Sequence, residues 1–246
     1  MCKQNMKKLI AFLTLFALTL TLAACADTSR EENQPAQAEN SAATISPSAS
    51  PQQPRSGSES LQGNSGSQSN ILVAYFSWAD NAVIEGEVDA VSSPSVVAPG
   101  NVEQLAGWVQ EATGGDLFSI QVTEPYSSDW DECLERANTE RAEDARPALT
   151  AAVEHMEEYD TIFLGYPNWW YGAPMAVLSF LEDYDFSGKQ VYLFCSHGTG
   201  GLENSVEDIR EAMQGGTISE NIFDVYEEDA ASSQNDIENW LAELGY

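Results

Sequence analysis

Three short, almost unbroken apolar runs decide most of what this chain can fold into: Ile71-Leu72-Val73-Ala74-Tyr75-Phe76, Thr161-Ile162-Phe163-Leu164-Gly165-Tyr166, and Gln190 to Cys195. A strand with one wet face alternates apolar and polar residues. These runs do not, so both of their faces must be covered. Leu117 to Val122 and Thr217 to Val225 read as two further strands. The segments between them read as helices: Val102 to Thr113, with Asn101 as its cap and Gly114-Gly115 ending it, then Asp129 to Ala145, stopped by Pro147. Thr150 to Tyr159, Pro174 to Leu181, Leu202 to Met213 and Ser233 to Leu244 complete the set. Strands separated by helices predict an α/β domain over 71–246: a doubly wound, five-stranded parallel sheet of order 2-1-3-4-5 with helices on both faces.

Charge narrows the function classes. Of the 246 residues, 10 are Lys or Arg and 39 are Asp or Glu, giving a formal charge of −29. Five of the basic and five of the acidic residues precede position 70, so 34 acidic and five basic residues fall on 70–246. A body so acidic excludes a general nucleic-acid binder, which needs a basic face. It favours a basic partner, docked with strong salt dependence.

The N-terminus reads as an address. Lys3, Lys7 and Lys8 precede an apolar run from Leu9 to Ala24, short for a spanning helix. The unit ends Leu22-Ala23-Ala24-Cys25 and resembles a bacterial lipoprotein signal, in which the cysteine is acylated and becomes the mature N-terminus. The resemblance implies a signal peptide over 1–24 and a lipid on Cys25 that anchors the protein to the cell membrane on its extracytoplasmic face. Residues 25–70 are Ser-, Gln- and Pro-rich, with only Ile45 and Leu61 as large aliphatics, so they are expected to form a disordered tether.

In doubly wound sheets ligands sit beyond the carboxyl ends of the strands. That rule selects three loops: Ser77 to Asn101, Pro167 to Ala173 and Ser196 to Gly201. Ile71 to Ser77 resembles the first strand and phosphate loop of flavodoxins. The family's Gly-Asn-Thr is here Gly100-Asn101-Val102, displaced by the insertion 78–99 and lacking one hydroxyl. Tyr166-Pro167-Asn168-Trp169-Trp170-Tyr171-Gly172 resembles the second flavin-contacting loop of a flavodoxin subgroup, and Cys195-Ser196-His197-Gly198-Thr199-Gly200-Gly201 resembles the third. The likeness runs over roughly 70–225 and implies flavin mononucleotide (FMN) as cofactor.

Physical chemistry fits that implication. Helix amides and a hydroxyl can hold a phosphate without a cation, from Ser77, Gly100, Asn101 and Val102; Asn101 as a plain helix cap is the competing reading. The acidic residues of the insertion, Asp80, Glu85, Glu87 and Asp89, are then expected to face solvent. A flat, largely apolar ring calls for aromatic faces and a few polar groups at its edge. Of Trp169, Trp170 and Tyr171, at least one is expected to line the ring and at least one to plug the gap under the helix at Pro174. Gly172 would bring its backbone close to the ligand. Ser196, His197 and the amides around Gly198, Gly200 and Gly201 would meet the ring's polar edge, unless the loop serves only as a helix cap.

Four cysteines make no disulfide framework. Cys195 reads as a core thiol; Cys133 has no obvious partner, and whether the two pair stays open. His155 reads as a surface residue, and no metal constellation is visible. The leading expectation is an FMN-dependent electron-transfer protein with a low-potential hydroquinone and a basic redox partner. Two alternatives stand beside it: an FMN-dependent NAD(P)H oxidoreductase acting on a quinone or small acceptor, and a flavin-free interaction module of the same fold.

Overall fold

The computed structural model describes residues 70–84, 86–88 and 92–246. The signal segment, Cys25 and the tether lie outside the described residues. In chain order the elements are β1 (Ile71–Tyr75), β2 (Ala82–Val83), α1 (Ser93–Val96), α2 (Asn101–Thr113), β3 (Asp116–Ser119), β4 (Tyr126–Ser127) and α3 (Trp130–Ala142). They continue with β5 (Thr161–Pro167), α4 (Met175–Glu182), β6 (Gln190–His197), α5 (Ser205–Ala212), β7 (Thr217–Ile218), β8 (Phe223–Tyr226) and α6 (Gln234–Leu244).

The sheet runs β3-β1-β5-β6-β7, all parallel, with β8 also paired to β6. This is the expected order, with the fifth strand in two pieces. β7 pairs the start of β6 at Gln190 and Val191, and β8 pairs its end from Phe194 to His197. Between them Ser219 Oγ accepts the Asn221 amide at 3.1 Å, a local turn that lifts the chain off the sheet.

Side chains leave the strands alternately to two cores, as a pleated backbone requires. Leu72, Ala74, Ile162, Leu164, Leu193 and Cys195 join one core with α4. Val73, Tyr75, Phe163 and Phe194 join the other with Val102, Leu105 and Val109 of α2 and Ile237, Trp240 and Leu241 of α6. Gly165 lies opposite Phe194 in the register, and a Cβ there would overlap the Phe194 ring. Two filled faces explain why the strands read as continuous apolar runs.

Several local expectations are corrected. Thr150 to Tyr159 is not a helix; only Met156–Glu158 forms a 3₁₀ turn. Val153, Met156 and Tyr159 are buried at every third position, which mimics helical spacing in an irregular strap. That strap is tied by the Val153 amide to Tyr184 Oη (2.6 Å) and by Lys189 Nζ to the carbonyls of Met156 (2.8 Å) and Tyr159. Asn101 does not cap α2. Gly100 is the cap residue, its amide donating to Glu103 Oε2 at 3.2 Å, while Asn101 opens the helix itself. Cys133 and Cys195 are both free and buried, so they do not pair. Burial drives both thiols' pKa values up, which makes them inert.

The insertion is built into the body. β2 pairs β4, and Trp78 Nε1 donates to the Ser127 carbonyl at 3.1 Å. Asn81 donates to the carbonyls of Ser77 (2.8 Å) and Ile120 (3.0 Å) and accepts the Val122 amide (2.8 Å). Asp80, expected to face solvent, is half-buried and accepts Ser119 Oγ at 2.5 Å. Glu87 is exposed as expected; Glu85 and Asp89 lie outside the described residues. His155 is also exposed. Among the described residues no helix is long and apolar enough to cross a membrane.

Candidate functional site

β5 and β6 both end at the same edge of the sheet, and their following loops are bonded to each other. The Asn168 amide donates to the Ser196 carbonyl at 2.9 Å, Asn168 Nδ2 donates to the Gly201 carbonyl, and the Asn204 amide donates to the Tyr171 carbonyl at 3.2 Å. β8 ends beside them, with the Glu227 amide on the His197 carbonyl at 2.8 Å. These loops enclose a cleft of about 390 Å³, within the range of small-molecule sites. It is lined by Pro167, Asn168, Trp169, Trp170 and Tyr171 on one side and by Ser196, His197, Gly198, Thr199 and Gly200 on the other. Trp78, Ser95, Trp130, Tyr226 and Glu227 complete the wall.

The aromatic side is a tight hairpin. Trp169 and Gly172 exchange both backbone hydrogen bonds, at 2.9 and 3.1 Å. The two residues between them, Trp170 (φ 45°) and Tyr171 (φ 74°), are both left-handed. That pair of conformations belongs to a type I′ turn and is costly for large side chains. Its result is that Trp170 and Tyr171 stand at the cleft, with Tyr171 65% exposed. Trp169 points inward and is 8% exposed, its ring 5.2 Å from Phe76, 5.1 Å from Tyr126 and 5.9 Å from Trp78. Four indoles close a ring of contacts: Trp78–Trp169 (5.9 Å), Trp169–Trp170 (5.5 Å), Trp170–Trp130 (5.7 Å) and Trp130–Trp78 (6.2 Å).

The polar groups are few. Asn168 Oδ1 is buried without a partner, an acceptor or amide edge left for a ligand. His197 is held at both nitrogens, Nδ1 by the Gly198 carbonyl (2.8 Å) and Nε2 by Asp224 Oδ1 (2.9 Å). It therefore shapes the loop and has no ring nitrogen left for a ligand. Burial and the neighbouring Glu228 raise the pKa of Glu227 above the usual carboxylate range. Among the described residues no Lys or Arg lines the cleft.

Not every predicted position meets here. Gly172 and Gly201 do not line the cleft. The space a Gly172 Cβ would take is filled by the Arg141 and Asp208 side chains. Gly201 supplies a left-handed turn (φ 64°) and the carbonyl that holds Asn168. Ser77, Gly100, Asn101 and Val102 are also absent from the lining. Val102 is buried in the core beneath α6, and Asn101 Nδ2 donates to the Glu227 carbonyl (2.9 Å) and toward Ser196 Oγ (3.4 Å). Trp130, Tyr226 and Glu227 were not singled out from the sequence. The strand-end rule, applied to the fifth strand as well, points to Tyr226 and Glu227; Trp130 looks only like a helix start after its cap, Asp129.

A parallel sheet of this order, with an aromatic hairpin facing a glycine-rich turn across the strand ends, defines a class of doubly wound ligand-binding domains. The family model described as flavodoxin matches residues 88–244, and the chain belongs to that family. Flavodoxin 1 of Escherichia coli (strain K12) is 28% identical over 123 residues, 48% of this chain and 53% of that protein. The chain thus spans about half the length of the curated relatives it matches. Two solved structures, described as candidate flavoproteins, are similar over nearly their whole length. The one from Bacteroides uniformis ATCC 8492 is 26% identical with a TM-score of 0.54, covering 71% of this chain and 99% of that one. The one from Bacteroides eggerthii DSM 20697 is 27% identical with a TM-score of 0.50, covering 72% and 98%.

Proposed function

We propose that this protein is an FMN-dependent electron carrier of flavodoxin type, held by lipid on Cys25 at the extracytoplasmic face of a cell membrane. One observation carries the flavin part of this reading: the cleft between Trp170-Tyr171 and Gly198–Gly200, with unpaired Asn168 Oδ1 at its floor. Aromatic faces, a polar edge and little else suit an isoalloxazine ring. Trp170, Tyr171 and Trp130 would flank the ring, and Asn168 with the amides of the glycine-rich loop would meet its polar edge. When bound, the flavin supplies reversible electron transfer; the protein orients it and sets its electrostatic surroundings. The N-terminal charges, the apolar run and Leu22-Ala23-Ala24-Cys25 support the lipid anchor.

A carrier is favoured over an NAD(P)H oxidoreductase by the state of the five cations in the domain. Arg136 pairs with Glu140, Arg141 with Asp208, Arg146 with Asp144 and Glu182, and Arg210 with Glu207. Lys189 is buried against two carbonyls. None stands ready for the pyrophosphate of a nicotinamide dinucleotide. The acidic surface suits a basic redox partner instead.

The test is turnover of the purified, flavin-loaded protein with NADH or NADPH. The carrier reading expects none beyond that of free flavin until a reductase is added. Sustained turnover by the protein alone would establish the oxidoreductase. Cys25→Ala is expected to release the protein from the membrane fraction, and retention would overturn the lipid anchor.

A further inference from the structure

One histidine at the cleft is held in a way that a neutral imidazole cannot satisfy. His197 ends β6 and stands on the cleft wall. Both of its ring nitrogens face oxygens that only accept: Nδ1 meets the Gly198 carbonyl at 2.8 Å, and Nε2 meets Asp224 Oδ1 at 2.9 Å. A neutral ring carries one proton and donates once; the imidazolium donates from both nitrogens. With Asp224 ionised, both contacts are hydrogen bonds only in the charged form, and the second is also an ion pair. The His197 side chain is 12% exposed, so little water is at hand to replace a lost partner.

The Gly198 carbonyl anchors the turn. It also accepts the Gly201 amide at 3.2 Å, and the Gly201 carbonyl accepts Asn168 Nδ2. Asn168 carries the unpaired Oδ1 at the cleft. The proton on Nδ1 thus connects, through one carbonyl and one turn, to the polar group on the cleft floor. Without it, a ring lone pair faces the carbonyl oxygen; without the Nε2 proton, a lone pair faces the carboxylate. Either loss breaks one of the ties between β8 and the turn that carries Gly198, Thr199 and Gly200 along the cleft.

The groups around the ring are acids. Asp224 and Tyr226 come from β8, the Tyr226 ring lying edge-on at 6.4 Å, and Glu227 follows them. Burial and Glu228 push the Glu227 pKa up, and His197 draws it down. The Glu203 side chain lies against Gly200. Tyr166 and Cys195, which also feel Asp224, are driven up by burial and stay neutral. Imidazole is the side chain that by its nature changes charge near neutral pH.

We propose that His197 is a positioning residue whose proton locks the glycine-rich turn in the shape that holds flavin, so that the cleft grips flavin below the His197 titration and loosens above it. The inference rests on the flavin reading above. The charged His197–Asp224 pair has no net charge, so it acts through the geometry of the turn and not by attracting the ligand.

The experiment titrates the purified full chain, stripped of bound flavin, with FMN from about pH 5.5 to 8.5, while NMR of the ring nitrogens follows His197. His155 is the only other histidine, so the His197→Gln variant assigns the signals. The dissociation constant is expected to rise by about tenfold across the His197 titration, as one charge-assisted hydrogen bond is lost. In His197→Gln it is expected to stay flat, apart from the titration of the FMN phosphate that both proteins share. A flat wild-type constant overturns the proposal, and so does a wild-type profile that survives in His197→Gln, which would assign it to Glu227. Asp224→Asn is expected to move the change to lower pH by about one unit; an unmoved midpoint contradicts the ion pair's part. A second measurement needs no flavin: protection of the Gly201 amide from hydrogen exchange, corrected for the intrinsic rate, is expected to fall by about fivefold over the same titration. Unchanged protection overturns the lock even where flavin binds. Absence of binding at every pH overturns the flavin reading, and the exchange result still decides the lock.

Discussion

Arg141 and Asp208 meet at 3.1 Å behind the aromatic hairpin and together hold both backbone polar groups of one residue, Ala173. Arg141 Nη2 donates to the Ala173 carbonyl at 3.0 Å, and Asp208 Oδ2 accepts the Ala173 amide at 3.1 Å. A helix on each side, α3 and α5, thereby pins the exit of a turn whose two central residues are strained. Gly172 makes this contact feasible, because any Cβ would fall on the ion pair. Gly172→Ala is expected to cost about 1–3 kcal/mol of stability and to weaken flavin binding by about tenfold, as the hairpin loses its fixed geometry. Denaturant unfolding and a flavin titration measure the two effects; wild-type values in both would show that the clamp does not position the hairpin.

The four-indole ring separates core from cleft. Trp169 is buried and Trp170 stands at the cleft. Trp169→Ala is therefore expected to destabilise by about 3–5 kcal/mol, the range for removing a buried tryptophan. Trp170 is half-buried against the same core. Trp170→Ala is expected to cost clearly less stability and to weaken flavin binding by about tenfold, or ~1.4 kcal/mol. Equal loss of stability in the two variants would contradict the division of roles.

Stability should rise as the solution becomes mildly acidic. Glu103 and Glu227 both have pKa values above the ordinary carboxylate range, mainly because burial disfavours their charged forms. The folded state therefore binds protons more tightly than the unfolded chain does. Stability linked to these groups is full below the unfolded pKa and is lost as pH rises through the folded one. Relief of repulsion among the domain's 34 acidic residues acts in the same direction. The melting temperature is expected to be a few degrees higher near pH 5 than at pH 7.5. A lower value near pH 5 would show that carboxylates with depressed pKa values, such as exposed Glu157 and Asp185, dominate instead.

The same charge acts on a reduced flavin. Glu227 stands on the cleft wall and, among the described residues, no Lys or Arg lines it, so negative charge added to a bound flavin would be disfavoured. Each ~1.4 kcal/mol of that penalty lowers a one-electron potential by about 59 mV. The hydroquinone couple of the loaded protein is expected below that of free flavin in spectroelectrochemical titration. A midpoint above free flavin would mean that local dipoles outweigh the carboxylates.

The sheet was legible because burial on both faces writes unbroken apolar runs at 71–76, 161–166 and 190–195. The two loops with aromatic and glycine content were legible for the same reason: they follow those runs. What sequence spacing could not carry was contact across the chain. Val153, Met156 and Tyr159 have helical spacing, yet their backbone is held by Tyr184 and Lys189 from elsewhere in the fold. Gly100-Asn101-Val102 keeps two of three family residues, but the insertion that separates it from Ser77 packs against Gly100, and Glu103 caps the Gly100 amide at the start of α2. Trp130 enters the cleft from a helix with no sequence link to it.

The most direct test of the central claim is the absorption spectrum of the purified full-length protein in the presence of one equivalent of flavin. Stacking between indole and phenol rings in a partly dry cleft predicts a red-shifted, more structured visible band than free flavin shows, together with strong quenching of tryptophan emission. A spectrum identical to that of free flavin, with undiminished tryptophan emission, would contradict a flavin in this cleft.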